Sequence, residues 1–286
     1  MLTQNGRMES YMKLNEIHIR DPFVLNDNGK YYLYTSAGQG FCTYISCDLE
    51  NWNGPYNVFK KPVSFWADKD FWAPEVHKYN GKYYLFASFK SDSHRRGTQI
   101  LVSDSPKGPF TPLSDLPVTP ADWESLDGTL YVDKKGIPFI VFCHEWVQIK
   151  DGEICCLELS KDLSHAVGEP HIMFRASEPM CVPKNAERYV TDGPFMFRTK
   201  SGKLKMTWSS FTENGYAVFL ATSDNGEIDG KWIHREKPLF DTDGGHGMLF
   251  NSFDGRTKFI MHMPNSGPFE HAVITDSSSF PEDMMD

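Results

Sequence analysis

The chain has 286 residues, a formal net charge of −9, an ordinary 40% apolar share and a high 14% share of aromatics. The acidic balance, with no basic stripe, argues against a nucleic-acid partner. No apolar run approaches the roughly 20 residues of a membrane-spanning helix, and residues 1–20 carry no leader pattern, so a soluble, cytoplasmic chain is expected, with secretion left open.

Residues 1–16 are polar and unpatterned apart from a short strand expected at 11–14. Then comes Ile19-Arg20-Asp21-Pro22-Phe23-Val24-Leu25, a polar turn over 26–29, and Gly29-Lys30-Tyr31-Tyr32-Leu33-Tyr34. Two apolar strands around such a turn predict a β-hairpin. The chain repeats this unit. Gly81-Lys82-Tyr83-Tyr84-Leu85-Phe86 is nearly a copy, and weaker copies begin at Gly136, Gly202 and Gly255. The turn glycines are separated by 52, 55, 66 and 53 residues, a period that suits a four-stranded propeller blade. A second rhythm, at Asp48, Asp104, Asp162, Asp224 and Asp276, closes a third apolar run 19 to 26 residues after each glycine, as a strand-ending turn would.

The prediction is an all-β, five-bladed β-propeller with mostly four antiparallel strands per blade. It forms a single domain over residues 1–286, its blades starting near 21, 73, 127, 192 and 246. The first blade is expected to end in an outer strand at 56–59, and the second carries a charged connection over 90–96. The surplus of the 66-residue gap falls in a loop at 176–189, and long loops on compact scaffolds are often functional. Residues 277–286 look too polar for an outer strand, so the fifth blade is expected to lack one. The N-terminal segment is expected to supply it and close the ring. The six cysteines lack metal spacing and read as free, mostly buried thiols, Cys155 and Cys156 pointing to opposite faces of a strand. Trp52 and Trp232 read as packing between blades.

Counting back from each turn glycine, Asp21, Ala73, Asp127, Asp192 and His246 lie 8 to 10 residues upstream. In a propeller the first strands line the axis, so these side chains should meet at one mouth of the channel. Singly, Asp-Pro and Asp-Gly are ordinary turn openers. Together, carboxylates crowded at one mouth push their pKa values apart, which lets an acid and a base coexist near neutral pH.

Ile19-Arg20-Asp21-Pro22, Trp72-Ala73-Pro74-Glu75-Val76, Leu126-Asp127-Gly128-Thr129-Leu130, Asp192-Gly193-Pro194 and Gly245-His246-Gly247 together resemble glycoside hydrolase family 43, five-bladed enzymes acting on arabinose- and xylose-containing glycans. The resemblance covers about residues 17–275. It implies hydrolysis of oligosaccharides or plant polysaccharide fragments by an inverting single displacement, without an organic cofactor. Asp21 would be the general base and Asp127 the aspartate that orients the acid and tunes its pKa, while His246 would help hold a calcium ion or its water shell near the axis. One position departs from the pattern, because the family's acid is carried by Glu-Gly-Pro and this chain has Asp192-Gly193-Pro194. The missing methylene retracts the carboxyl by about 1.5 Å, a misplacement that can cost roughly a hundredfold in rate.

Glu145, at the end of the second strand of the Asp127 blade, is the natural substitute acid, ahead of Glu75 and Glu187. A surface strand-end glutamate would read the same way. Trp72 and Trp146 are the first candidates for a sugar platform, whereas Phe23, Phe195 and Phe211 fit either that platform or the blade core. Arg20 suits a carboxylate or a substrate hydroxyl. A related phosphorylase and a catalytically silent carbohydrate-binding propeller are the competing readings.

Overall fold

All five repeated glycines adopt a left-handed backbone, with φ of +75, +81, +79, +88 and +83° at Gly29, Gly81, Gly136, Gly202 and Gly255. Tight hairpin turns demand this conformation, and glycine enters it without steric strain. Each glycine joins the first two strands of one antiparallel sheet, so the sequence repeat becomes an architectural repeat. The computed structural model describes residues 11–286.

Blade I has its inner strand at Phe23–Asp27, followed by Lys30–Ser36, Gly40–Ser46 and Asn51–Lys60. Blade II comprises Lys69–Tyr79, Lys82–Lys90, Gly97–Ser103 and Thr111–Pro112. Blade III comprises Ser125–Val132, Pro138–His144, Glu153–Leu159 and Ala166–Arg175. Blade IV comprises Asp192–Arg198, Leu204–Thr212, Gly215–Ser223 and Trp232–His234. Blade V has three strands, Gly245–Asn251, Thr257–Met263 and His271–Asp276. The inner strands touch in the cyclic order I, II, III, IV, V and back to I, making a five-bladed β-propeller with almost no helix.

The core lies between the blades because both faces of each twisted sheet are covered by neighbours. Cys155 packs beside Phe142 and Leu157 between blades II and III, while Cys156 packs with Trp208 between blades III and IV. Adjacent residues thus serve different interfaces, as a strand's period of two requires. All six cysteines are unpaired, and four of them are buried. Trp52 and Trp232 are likewise buried in the apolar clusters.

The N-terminal segment departs from expectation. Its strand, Tyr11–Lys13, pairs with Asn51–Asn53 and extends blade I by a fifth strand instead of completing blade V. The chain then crosses to blade V, where the Ile19 amide donates to the Glu270 carbonyl at 3.2 Å and His18 forms a bridge with His271. Ile17 and Ile19 are fully buried beneath this crossing. The tail forms short turns, and its buried Met284 packs with Phe280 against Phe259. The tail therefore seals the interface between blades IV and V, while the crossing segment, through Leu14–Glu16 and His18, runs beside the outer strand of blade V.

Four inner strands break register with their neighbours, between Trp72 and Glu75, Leu126 and Thr129, Asp192 and Phe195, and Gly245 and Met248, and that of blade II does so a second time between Lys69 and Trp72. Within each of the first four breaks one residue has positive φ, namely Ala73 (+46°), Asp127 (+55°), Gly193 (+49°) and His246 (+47°), and Asp21 (+51°) matches them in blade I. Such bulges re-aim side chains at the rim of a sheet. The structural equivalent of Asp21 and Asp127 in blade IV is thus Gly193, and Asp192 stands one residue earlier. A Cβ on Gly193 would meet the His246 ring at 2.6 Å. Gly193→Ala should therefore lose about 3 kcal/mol, from left-handed strain and the clash together. The check is a melting temperature roughly 6 °C below wild type.

Candidate active site

The four bulges, and the left-handed Asp21 just before the inner strand of blade I, lie at one end of the axis, where a cavity of about 640 Å³ opens. Asp21, Asp127, Asp192, His246, Arg20, Trp72, Glu145 and Trp146 all line it. Phe23 and Phe195 do not. Phe23 is buried with its ring 5.1 Å from that of His77, and Phe195 packs in the inter-blade clusters. Both follow the bulge by two residues, so the strand returns them to an interface. Glu75 is buried against His77 at 3.1 Å, and Glu187 is exposed outside the central cavity.

At the floor, His246 Nδ1 lies 3.1 Å from Asp21 Oδ1 and 3.5 Å from Asp127 Oδ2. Burial alone would keep the imidazole neutral, but the two carboxylates outweigh it and raise His246 to about 10. For Asp21, burial favours the protonated form, yet His246 and Arg20 hold the carboxyl far below its usual range. Its own amide donates to His262 Nδ1 at 3.3 Å, and burial lowers His262 to about 4, so that ring is a neutral acceptor. Asp127 behaves oppositely. Burial, reinforced by Asp192 and Asp21 and only partly offset by His246, raises it to about 8. Its amide donates to Ser88 Oγ at 3.0 Å, and its Oδ2 accepts the Gly193 amide at 3.0 Å.

Asp192 is also raised, first by burial and then by Asp21, against the opposing His246. The Tyr216 hydroxyl donates to its Oδ2 at 2.9 Å, and the Tyr216 ring stacks on His262 with centroids 5.6 Å apart. Glycine at 245 makes this backing possible, because a Cβ there would meet the Tyr216 ring at 2.4 Å.

Glu145 reaches the cavity because the second strand of blade III ends at His144 and the chain turns into the short helix Trp146–Ile149. Its Oε2 accepts a short hydrogen bond from Arg96 Nη1. Burial raises Glu145 to about 7 in spite of Arg96, with Asp192 contributing. Arg96 also binds Asp70 Oδ2 at 2.7 and 3.0 Å and lies 4.4 Å over the Trp72 ring. One buried guanidinium thereby couples an aromatic wall to a carboxylic acid.

Arg20 is committed to Glu270 at 2.5 Å and Asn265 at 2.8 Å, with Asp21 at 3.6 Å. Arg188, from the long loop before blade IV, stacks 4.5 Å over Trp146. Sequence reasoning singled out neither Arg96, Tyr216 and His262 nor Glu270 and Arg188. Only the charged connection at 90–96 and the surplus loop marked where two of them lie.

Calcium takes six to eight oxygen ligands, so the His246 ring, whose Nδ1 faces Asp21 and Asp127, would meet the implied ion only through its water shell. Among the described residues, no group of three or more His, Cys, Asp or Glu is placed to hold a metal ion.

A solved endo-arabinase from Bacteroides thetaiotaomicron VPI-5482 is 43% identical, with a TM-score of 0.89 over 94% of this chain and 97% of that one. The extracellular exo-alpha-(1->5)-L-arabinofuranosidase ArbA of Cellvibrio japonicus (strain Ueda107) is 24% identical over 281 residues, covering 86% of this chain and 79% of that protein. The extracellular endo-alpha-(1->5)-L-arabinanase 1 of Bacillus subtilis (strain 168) is 28% identical over 149 residues, 48% of this chain and 46% of that protein. This last match spans about half the length of the Bacillus protein. The family model described as glycosyl hydrolases family 43 matches residues 15–275 and so runs through all five blades. The chain belongs to glycosyl hydrolases family 43.

Proposed function

We propose that the protein hydrolyses arabinose- or xylose-containing glycosides by an inverting single displacement. Asp21 is the general base that takes a proton from the attacking water, and Glu145 is the general acid that protonates the departing oxygen. Asp127 orients the site through the Gly193 amide, and Asp192, held by Tyr216, faces the sugar between them. The observation that carries this reading is the separation of protonation states within one cavity. Asp21 is kept ionised by flanking cations, while burial raises Glu145 to about 7. Paired carboxyls of opposite state are what acid–base glycoside cleavage needs.

Glu145 suits the acid role better than Asp192, whose side chain is one methylene short of the glutamate that the family resemblance expects there. Trp72 and Trp146 supply the apolar walls that a sugar ring stacks on. Arabinan- and xylan-type substrates are supported by the named activities of the relatives. Arg20 and His246, the cations beside the base, are each tied to carboxylates, which favours water over phosphate as the attacking group.

Nitrophenyl α-L-arabinofuranoside, nitrophenyl β-D-xyloside and the corresponding oligosaccharides should be tested with proton NMR of the first-formed sugar. Turnover with the anomeric configuration inverted is expected. Retention would overturn the single displacement, and sugar binding without turnover would establish a silent binding propeller instead.

A further inference from the structure

The loop at 176–191 encloses a second hollow of about 360 Å³ that shares Arg188, Val190 and Phe211 with the central cavity. Its far wall is formed by Pro183, Ala186 and Glu187 of the loop. The two spaces therefore meet along one wall.

This loop is a built feature. Ser177 binds Asp151 through its amide at 3.1 Å and its hydroxyl at 2.7 Å. Lys184 Nζ donates to the carbonyls of Ser177 and Pro179 at 3.0 Å each, and the Tyr189 hydroxyl donates to the Lys184 carbonyl at 2.6 Å. The Tyr189 backbone pairs with Lys150 and Gly152 at 2.9 Å. A wall tied at this many points is preorganised, which lowers the cost of holding a ligand against it.

The shared wall offers what a sugar recognises. The Phe211 side chain is 41% exposed, unusual for an aromatic next to a core, and its ring centroid lies 5.2 Å from that of Tyr216. Arg188 is exposed with its guanidinium 4.5 Å from the Trp146 ring centroid, and among the described residues it has no carboxylate partner. Its remaining donors are free for hydroxyls on a second ring. An apolar face beside a fan of donors is the pattern of a carbohydrate subsite.

Resting on the glycosidase reading, we infer that the hollow behind Arg188 and Phe211 is a distal glycan subsite, and that the substrate is an oligosaccharide of at least three sugars running from the cleavage site over this wall. The test compares linear arabino- or xylo-oligosaccharides of two and four units. Wild-type kcat/KM should be at least tenfold higher for the tetramer, and this preference should fall by roughly tenfold in Phe211→Ala, which removes one aromatic contact, and in Ala186→Trp, which fills the hollow. Equal kcat/KM for the two lengths in the wild type overturns the subsite whether or not the variants fold. So does a preference that stays within twofold of wild type in both folded variants. If wild type turns over no glycoside, the glycosidase reading fails by itself, and calorimetric binding of the tetramer against the dimer decides the subsite.

Discussion

Asp21→Asn is expected to lower kcat by roughly a thousandfold, the range for removing a positioned general base, while product binding changes by no more than a few-fold. The substitution keeps the size of the side chain and removes a carboxylate that flanking cations hold ionised. Burial would otherwise protonate Asp21, and it is the His246 and Arg20 cations that prevent this. An amide cannot take the proton of the attacking water, and it leaves the His246 imidazolium facing Asp127 alone. The change also affects stability. A carboxyl whose pKa is depressed on folding stabilises the protein above its unfolded pKa, and that contribution is lost as the pH falls through the folded value. Asp21→Asn should therefore melt below wild type at pH 7, with the gap narrowing below about pH 4. Steady-state rates on a nitrophenyl glycoside, taken where the variant is folded, provide the check. A residual rate within tenfold of wild type would remove Asp21 from the base role.

Much of this site is legible in the amino-acid order because it comes from a repeated unit. Hairpin glycines need φ near +80°, a requirement visible at Gly29, Gly81, Gly136, Gly202 and Gly255, and their spacing determines where each inner strand begins. Asp21, Asp127 and His246 follow from that count. The count fails by one residue in blade IV, where Gly193 takes the bulge position and Asp192 precedes it. A bulge is an interruption of pairing, and it leaves no periodic trace in the chain.

Other features depend on long-range contacts that no local pattern encodes. Arg96 meets Glu145 across 49 residues, and Tyr216 meets Asp192 across 24. The strand at Tyr11–Lys13 was visible as a strand, but its partner was not, since the outer edges of blades I and V offer a short polar strand similar hydrogen bonds. Phe23 and Phe195 have the composition of a sugar platform and the alternation of a core. The two-residue period after the bulge decides for the core.

Glu145→Gln should abolish cleavage of glycosides with poor leaving groups, by roughly a thousandfold, while leaving dinitrophenyl glycosides within about tenfold of wild type. A departing sugar alkoxide must be protonated as the bond breaks, whereas a dinitrophenolate leaves unaided. The same residue sets the pH dependence. A general acid works while it holds its proton, so with Glu145 raised to about 7 the wild-type kcat/KM should fall as the pH rises through about 7. On the acid side the rate should stay level, because Asp21 remains ionised. Glu145→Gln has no proton to lose there and should lack the descending limb. Arg96 opposes the upward shift of Glu145, so Arg96→Met should move the limb to higher pH while also loosening Trp72, raising KM. Asp192→Asn separates the two candidate acids. If that variant alone spares dinitrophenyl substrates and loses the alkaline limb, the proton comes from blade IV after all, and the buried Arg96–Glu145 pair serves only to hold the cavity wall.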